Sequence, residues 1–158
     1  MGKRTSSTKV PYTAQQMYDL VVDMDRYPEF IPWLAKARKY EETESQFMSE
    51  MTFSFKGMRE TFKTLDTIIP GKKITIANIS GPFKHLQSEW CFTDNPDGGC
   101  TIDFFIDFRF KSRLVEMALG AVFGEASKRM VDAFRARADD IYPNGSSDSP
   151  LNTMNGQK

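Results

Sequence analysis

The apolar periodicity between Ser112 and Ile141 constrains this chain more than any other stretch. Leu119, Val122, Phe123, Ala126, Met130, Ala133, Phe134 and Ile141 recur at steps close to one helical turn, the mark of a single buried face. Arg113, Glu125, Lys128, Arg129, Asp132, Arg135 and Asp139 fall mostly on the opposite side. Ser112 is placed to cap the N-terminus, and Glu116 sets a negative charge where the helix dipole favours one. Pro143 and Gly145 stop the helix. At ~1.5 Å per residue the segment spans roughly 45 Å if unbroken. A helix of that length, arriving after a run of strand-like segments, needs a sheet to lie on.

Within it, Gly120 and Gly124 sit one turn apart among Ala118 and Ala121. Each glycine costs about 1 kcal/mol relative to alanine inside a helix, so the pair asks for a reason. Close approach of helix and sheet, or a kink, is one. Room left for a ligand is the other, with Met130, Phe134 and Ile141 plugging the far end. A membrane-crossing face is excluded, because Glu116, Glu125, Lys128 and Arg129 interrupt any apolar span of sufficient length. Arg137 falls near the centre of the apolar stripe, where a guanidinium needs a carboxylate or several acceptors. A structural ion pair and a contact to a ligand head both meet that need.

The segments ahead of this helix supply the sheet. Residues 4–10 suit an edge strand. Thr13-x-x-Gln16 matches a capping box and opens a helix with Met17, Leu20, Val21 and Met24 on its apolar face, ending near Asp25. Tyr27-Pro28-Glu29-Phe30-Ile31-Pro32-Trp33-Leu34 holds two prolines, which restrict it to a single turn or a loop. Its aromatic residues either cover the core as a lid or form a mouth that touches a membrane interface. Strands are expected over 35–42, 46–55, 59–69, 72–79, 86–93 and 100–110, with Gly57, Pro70-Gly71, Gly81-Pro82-Phe83-Lys84 and Asn95-Pro96-Asp97-Gly98-Gly99 as connections. Phe47, Met51, Phe53 and Phe55 share one parity, as do Trp90 and Phe92. Ile102, Phe104, Ile106, Phe108 and Phe110 alternate against Asp103, Asp107 and Arg109. Short connections make this an antiparallel meander, and the class is α+β. A sheet of about six or seven strands must curl, and its concave face must be covered by the C-terminal helix. Inward-facing Phe and Met residues would make any space between them apolar.

One domain over 1–143 and a disordered Ser/Asn/Gly-rich tail over 144–158 account for the length. The formal net charge is zero, which gives no bulk attraction to phosphate backbones and argues against DNA as a partner. The 13 Phe and 9 Met residues suit a soft apolar interior. Cys91 and Cys100 have no metal spacing, and with no secretory signal they are expected to be free thiols in a reducing bacterial cytoplasm, or at the inner face of its membrane. Enzyme chemistry finds little purchase. His85 is the sole histidine, and no nucleophile elbow, metalloprotease helix, phosphate loop or dinucleotide fingerprint occurs. No clustered ligands call for a metal, and no cofactor is expected. Asp103 and Asp107 lie on the polar parity of their strand; were either inside, it could orient a bound carbonyl through Arg137 or a water.

With the elements placed, particular residues resemble the coenzyme Q-binding, START-like family. They are the run from Tyr12 to Asp23 leading into Tyr27-Pro28-Glu29-Phe30-Ile31-Pro32-Trp33, then Gly81-Pro82-Phe83-Lys84-x-Leu86 with Trp90-x-Phe92, Phe108-x-Phe110-Lys111-Ser112 and Phe134-x-x-Arg137-Ala138. The family includes mitochondrial ubiquinone chaperones and bacterial relatives named as ribosome association toxins. The resemblance covers residues 4–142 and implies a helix-grip fold with two short helices after the first strand. It also implies an apolar tunnel that binds ubiquinone or a similar polyprenyl lipid without catalysis, in support of respiration. The residues expected to bind it are Phe30, Trp33, Met51, Phe53, Phe55, Phe62, Phe83, Trp90, Phe92, Phe104, Phe108, Val122, Phe123, Ala126, Met130 and Arg137. Transient membrane contact through the 27–34 and 81–84 segments goes with that reading. The alternative is a ribosome-binding module that blocks subunit association, with Lys36–Lys39 or Lys128–Arg137 as its surface. A cyclase would require an acid/base pair inside the cavity, and the pattern places none.

Overall fold

A computed structural model describes residues 2–55 and 57–142. The tail expected to be disordered lies outside the described residues. The elements are β1 (Gly2–Val10), α1 (Ala14–Val22), a 3-10 helix (Met24–Glu29), β2 (Leu34–Tyr40), β3 (Gln46–Phe55), β4 (Met58–Ile69), β5 (Lys73–Ser80), β6 (Phe83–Asp94), β7 (Cys100–Phe110), α2 (Arg113–Lys128) and α3 (Met130–Ile141). The strands form one antiparallel sheet in the order β1-β7-β6-β5-β4-β3-β2, so β2 to β7 meander and β1 returns beside β7 as an edge. The α+β helix-grip architecture is the one the sequence led to.

Local chemistry explains the element starts. The Thr13 hydroxyl accepts from the Gln16 N–H at 3.1 Å while the Gln16 side chain accepts from the Thr13 N–H at 2.9 Å, completing the capping box. Ser112 caps α2 by accepting from the N–H groups of Leu114 and Val115. α1 ends at Val22, earlier than expected, and the chain tightens into the 3-10 turn that tolerates Pro28. The expected 81–84 loop is shorter than its composition suggests. Phe83 is fully buried and pairs with Phe110, so β6 begins there, with a register irregularity before His85. Gly81 remains the turn, at φ 129°, where a Cβ would stand 2.6 Å from that of Phe62.

The single long C-terminal helix is in fact two, broken at Arg129 (φ −102°, ψ 7°). The buried residues of α2 are Leu119, Phe123 and Ser127, and those of α3 start at Val131. Repeated steps of four rotate a stripe by roughly 40° each around a straight helix. Without a break the face would drift off the sheet. Ser127 supplies a cause, since its hydroxyl donates to the Phe123 carbonyl at 2.8 Å, a bond that bends helices. The glycines do not make the kink, and no close approach requires them. A Cβ on Gly124 meets nothing within 4 Å, and the nearest atoms to one on Gly120 belong to the flexible Glu116 side chain. Ile141, expected to plug the far end, is 43% exposed; Phe134 and Ala138 do the covering instead.

Candidate functional site

Two adjoining spaces lie between the sheet and the helices. The inner one, about 80 Å³, is walled by residues that include Met51 of β3, Phe62 of β4, Trp90 of β6, Phe104 of β7, Phe123 of α2 and Phe134 of α3. The outer one, about 560 Å³, is an open groove bordered by Phe30, Pro32 and Phe55 on one side and Val122, Ala126 and Ala133 on the other. Ile31, Trp33 and Met130 line both. These three side chains are therefore the partition between cavity and surface.

Of the residues expected to bind ligand, Trp33, Met51, Phe62, Trp90, Phe104, Phe123 and Met130 meet at the inner cavity. Phe30, Phe55, Val122 and Ala126 line the groove with Trp33 and Met130. Phe53 borders only a small void beside Trp33 and Phe123. Phe83, Phe92 and Phe108 line neither space and pack ring to ring in the core. Phe83 stacks on Phe110 at 4.8 Å, Phe108 meets Phe123 edge-on at 4.7 Å, and Phe92 packs against Trp90 and Tyr18. Arg137 also lies apart. Its guanidinium pairs with Glu29 at 2.5 Å and sits 4.9 Å over the Phe30 ring, fastening α3 to the 3-10 segment. Nor do Asp103 and Asp107 turn inward: Asp103 is exposed, and Asp107 pairs with His85 at 3.2 Å on the outer face. The lid residues rest on the core, Phe30 edge-on to Phe134 at 5.2 Å and Trp33 tilted on Phe53 at 5.9 Å.

Sequence reasoning missed the polar floor of the cavity. Ser49, Thr64 and Asp66 all line it and all are buried. Thr64 donates to Asp66 Oδ1 at 2.5 Å, and the Ser49 and Thr64 hydroxyls are 2.6 Å apart. Since Thr64 has spent its proton on Asp66, Ser49 is the donor in the second bond. Asp66 Oδ2 is buried without a hydrogen-bond partner. Burial pushes the Asp66 carboxyl up to about 7, against the Thr64 hydrogen bond and the charge of Lys39, which both pull it down. Parity carried the signal: Phe62, Thr64 and Asp66 alternate along β4, so an inward Phe62 implies an inward Asp66. The cavity thus holds one acid that the sequence reading did not place inside, though not an acid/base pair. Tyr27 and Ser88, also on the lining, donate to the backbone carbonyls of Val21 and Phe105. Burial first, and then the nearby Asp66 charge, hold the Tyr27 phenol well above its ordinary range.

Cys91 and Cys100 are free thiols, and burial pushes Cys100 up to about 12. Among the described residues no three His, Cys, Asp or Glu side chains converge as metal ligands, and no helix is long and apolar enough to cross a membrane.

A curved antiparallel sheet closed by C-terminal helices over an apolar cavity defines the helix-grip class of domain. The chain belongs to the polyketide cyclase/dehydrase and lipid transport family, whose model matches residues 10–135. It is 39% identical over 142 residues to the ribosome association toxin RatA of Escherichia coli K12, covering 90% of each chain. It is 30% identical over 151 residues to the mitochondrial coenzyme Q-binding protein COQ10 homolog B of Xenopus laevis, covering 93% of this chain and 61% of that one. Among solved structures, the Zhui aromatase/cyclase of Streptomyces sp. R1128 superposes with a TM-score of 0.76 at 15% identity, covering 92% and 98% of the two chains. That last likeness is one of fold.

Proposed function

We propose that this protein is a non-enzymatic carrier of an elongated apolar ligand, ubiquinone or a similar polyprenyl lipid, held between the sheet and the C-terminal helices in support of respiration. The observation that carries the reading is the partition of Ile31, Trp33 and Met130 between an apolar cavity and an open apolar groove. The inner space is about half the ~150 Å³ void that accepts a benzene ring. Loading therefore turns Trp33 and Met130 aside and merges the two spaces. Each methylene buried contributes about 0.8 kcal/mol, so a tail of a few isoprene units binds without polar help. The lipid-transport description of the family and the coenzyme Q-binding name of one relative support the same reading.

Delivery requires contact with a bilayer. Leu114 and Met117 stand 71% and 79% exposed on the first turns of α2, beside a depression lined by Lys84, Arg109, Lys111 and Arg113. Glu116 lines the same depression, so the four cations outnumber one carboxylate, and apolar side chains beside such a net positive patch suit an anionic lipid surface. Solvent extraction of the purified protein followed by mass spectrometry, paired with a quinone titration followed by tryptophan fluorescence, tests the carrier. A stoichiometric quinone or saturable quenching is expected; an empty protein that no quinone quenches would overturn it.

A second reading, ribosome binding that blocks subunit association, is favoured by the 39% identity to the toxin of Escherichia coli. The candidate basic surfaces weigh against it. Arg38 pairs with Glu50, Lys39 with Glu42, Arg129 with Glu125 and Arg135 with Asp139, which leaves little net charge for phosphate. Co-sedimentation with ribosomal subunits that declines as salt rises would move the assignment to this reading.

A further inference from the structure

An acid buried in an apolar chamber with one oxygen unpartnered is expensive to keep, and a plain lipid sleeve has no use for it. In this chain the cost is concentrated in one row of the cavity lining. Ser49, Thr64 and Asp66 sit on neighbouring strands β3 and β4, all inward, against walls of Phe62, Trp90 and Phe134. We infer that the Ser49–Thr64–Asp66 row is a polar subsite that receives a carbonyl oxygen at the head end of an otherwise apolar ligand. The inference rests on the carrier reading and names what that carrier selects.

The direction of the hydrogen bonds specifies the chemistry. Protons run from Ser49 to Thr64 and from Thr64 to Asp66 Oδ1, so the row terminates at Asp66 Oδ2. Asp66 as the neutral acid keeps the Thr64 bond on Oδ1 when its proton sits on Oδ2, and that arrangement is the one the subsite requires. The row therefore offers one donor to the cavity and asks for an acceptor. A carbonyl is an acceptor with nothing to donate, and it tolerates apolar surroundings better than a charged group does. Tyr27 and Ser88 have already committed their protons to backbone carbonyls, which leaves Oδ2 as the donor of this group that is free to engage a ligand. The titratable neighbours permit the neutral form. Tyr27, from the 3-10 helix, stays protonated, and the charge of Lys39, from β2, which pulls the other way, is shared with Glu42 at 3.6 Å and is outweighed by burial.

The test compares two probes on the full chain at pH 6, followed by tryptophan fluorescence. One is a ubiquinone with a short isoprenoid tail; the other is an alkylbenzene with the same tail and no carbonyl. The wild-type protein is expected to prefer the quinone by about tenfold, the worth of one net buried hydrogen bond. Asp66→Leu, nearly the same shape, should lose that preference while binding the alkylbenzene as well or better. Asp66→Asn, which keeps a donor on the same branch, should retain the preference and guards against a variant that merely misfolds. Above pH 7 the wild-type preference should fall and that of Asp66→Asn should not. A quinone preference that survives in Asp66→Leu, or equal binding of both probes by the wild type, overturns the subsite but leaves the carrier standing. Binding of neither probe overturns the carrier itself.

Discussion

Asp66 makes a stability claim as well as a binding one. Its carboxyl titrates near 7 in the folded protein, against roughly 3.9 in an unfolded chain. The folded state therefore holds the proton more tightly, and the stability gained by burying a neutral acid is fully present below the unfolded value. It declines as pH rises from about 4 to about 7 and is flat beyond, a loss of up to about 4 kcal/mol. Asp66→Asn should flatten that slope and be more stable than the wild type at pH 8. Urea denaturation at pH 5 and pH 8 measures both; an unchanged slope would place the carboxyl in solvent. The acid escaped sequence reasoning because its strand was bounded without its alternation being followed, and a charged residue reads as exposed by default. Arg137 went the other way. Its place in the stripe pointed inward, but a carboxylate within reach at Glu29 and a ring beneath it made a fastener at the rim.

At the level of elements, the strands were legible almost to the residue. β3 and β7 begin and end where alternation and turn chemistry put them, because in a two-faced antiparallel sheet each residue has only one correct side. The break at Arg129 was not legible. An unbroken pattern of apolar steps fits one helix or two, and the drift of the stripe with the Ser127 bond to the Phe123 carbonyl decides. Gly124 is the place where this element is softest without structural need. With open space beside it, Gly124→Ala should raise stability by about 0.5–1 kcal/mol through backbone entropy alone. Gly120→Ala should gain less, because Glu116 lies over that position. Thermal melting of the two variants distinguishes them, and destabilisation by Gly124→Ala would mean that α2 sits closer to the sheet than described.

For the molecule as a whole, the partition at Trp33 and Met130 predicts how traffic is controlled. Polar substitutions at Phe30 and Trp33 should slow lipid uptake from vesicles several-fold with the fold intact by circular dichroism, since they roughen the wall of the groove without breaching the core. Unchanged uptake would move the portal elsewhere, to the 81–84 turn and the first turns of α2. The fold and the apolar character of the cavity could be read from alternation and from motif resemblance. The residues that actually border the space could not, because Phe83, Phe92 and Phe108 obey the same inward parity as Trp90 and Phe104. Parity reports which face a side chain takes, and depth within the face is set by the helices laid across it.

The return of β1 to the side of β7 has a consequence during synthesis. Gly2 pairs with Phe108 and Val10 with Cys100, so the first strand made is the last to find its partner. At about 5–20 residues per second a ribosome needs roughly 5–20 s to bring the partner strand out. The bonds that tie α3 and the residue after it to the N-terminal segment are later still, since Tyr12 donates to Asp139 and Tyr142 to the Gln16 carbonyl. The nascent chain must hold β2 to β6 together with one apolar face uncovered while it waits. Sheet pairings of this span belong to folding times of milliseconds to seconds once the chain is free. The strand order therefore ties closure of the sheet to the appearance of β7 and the helices behind it.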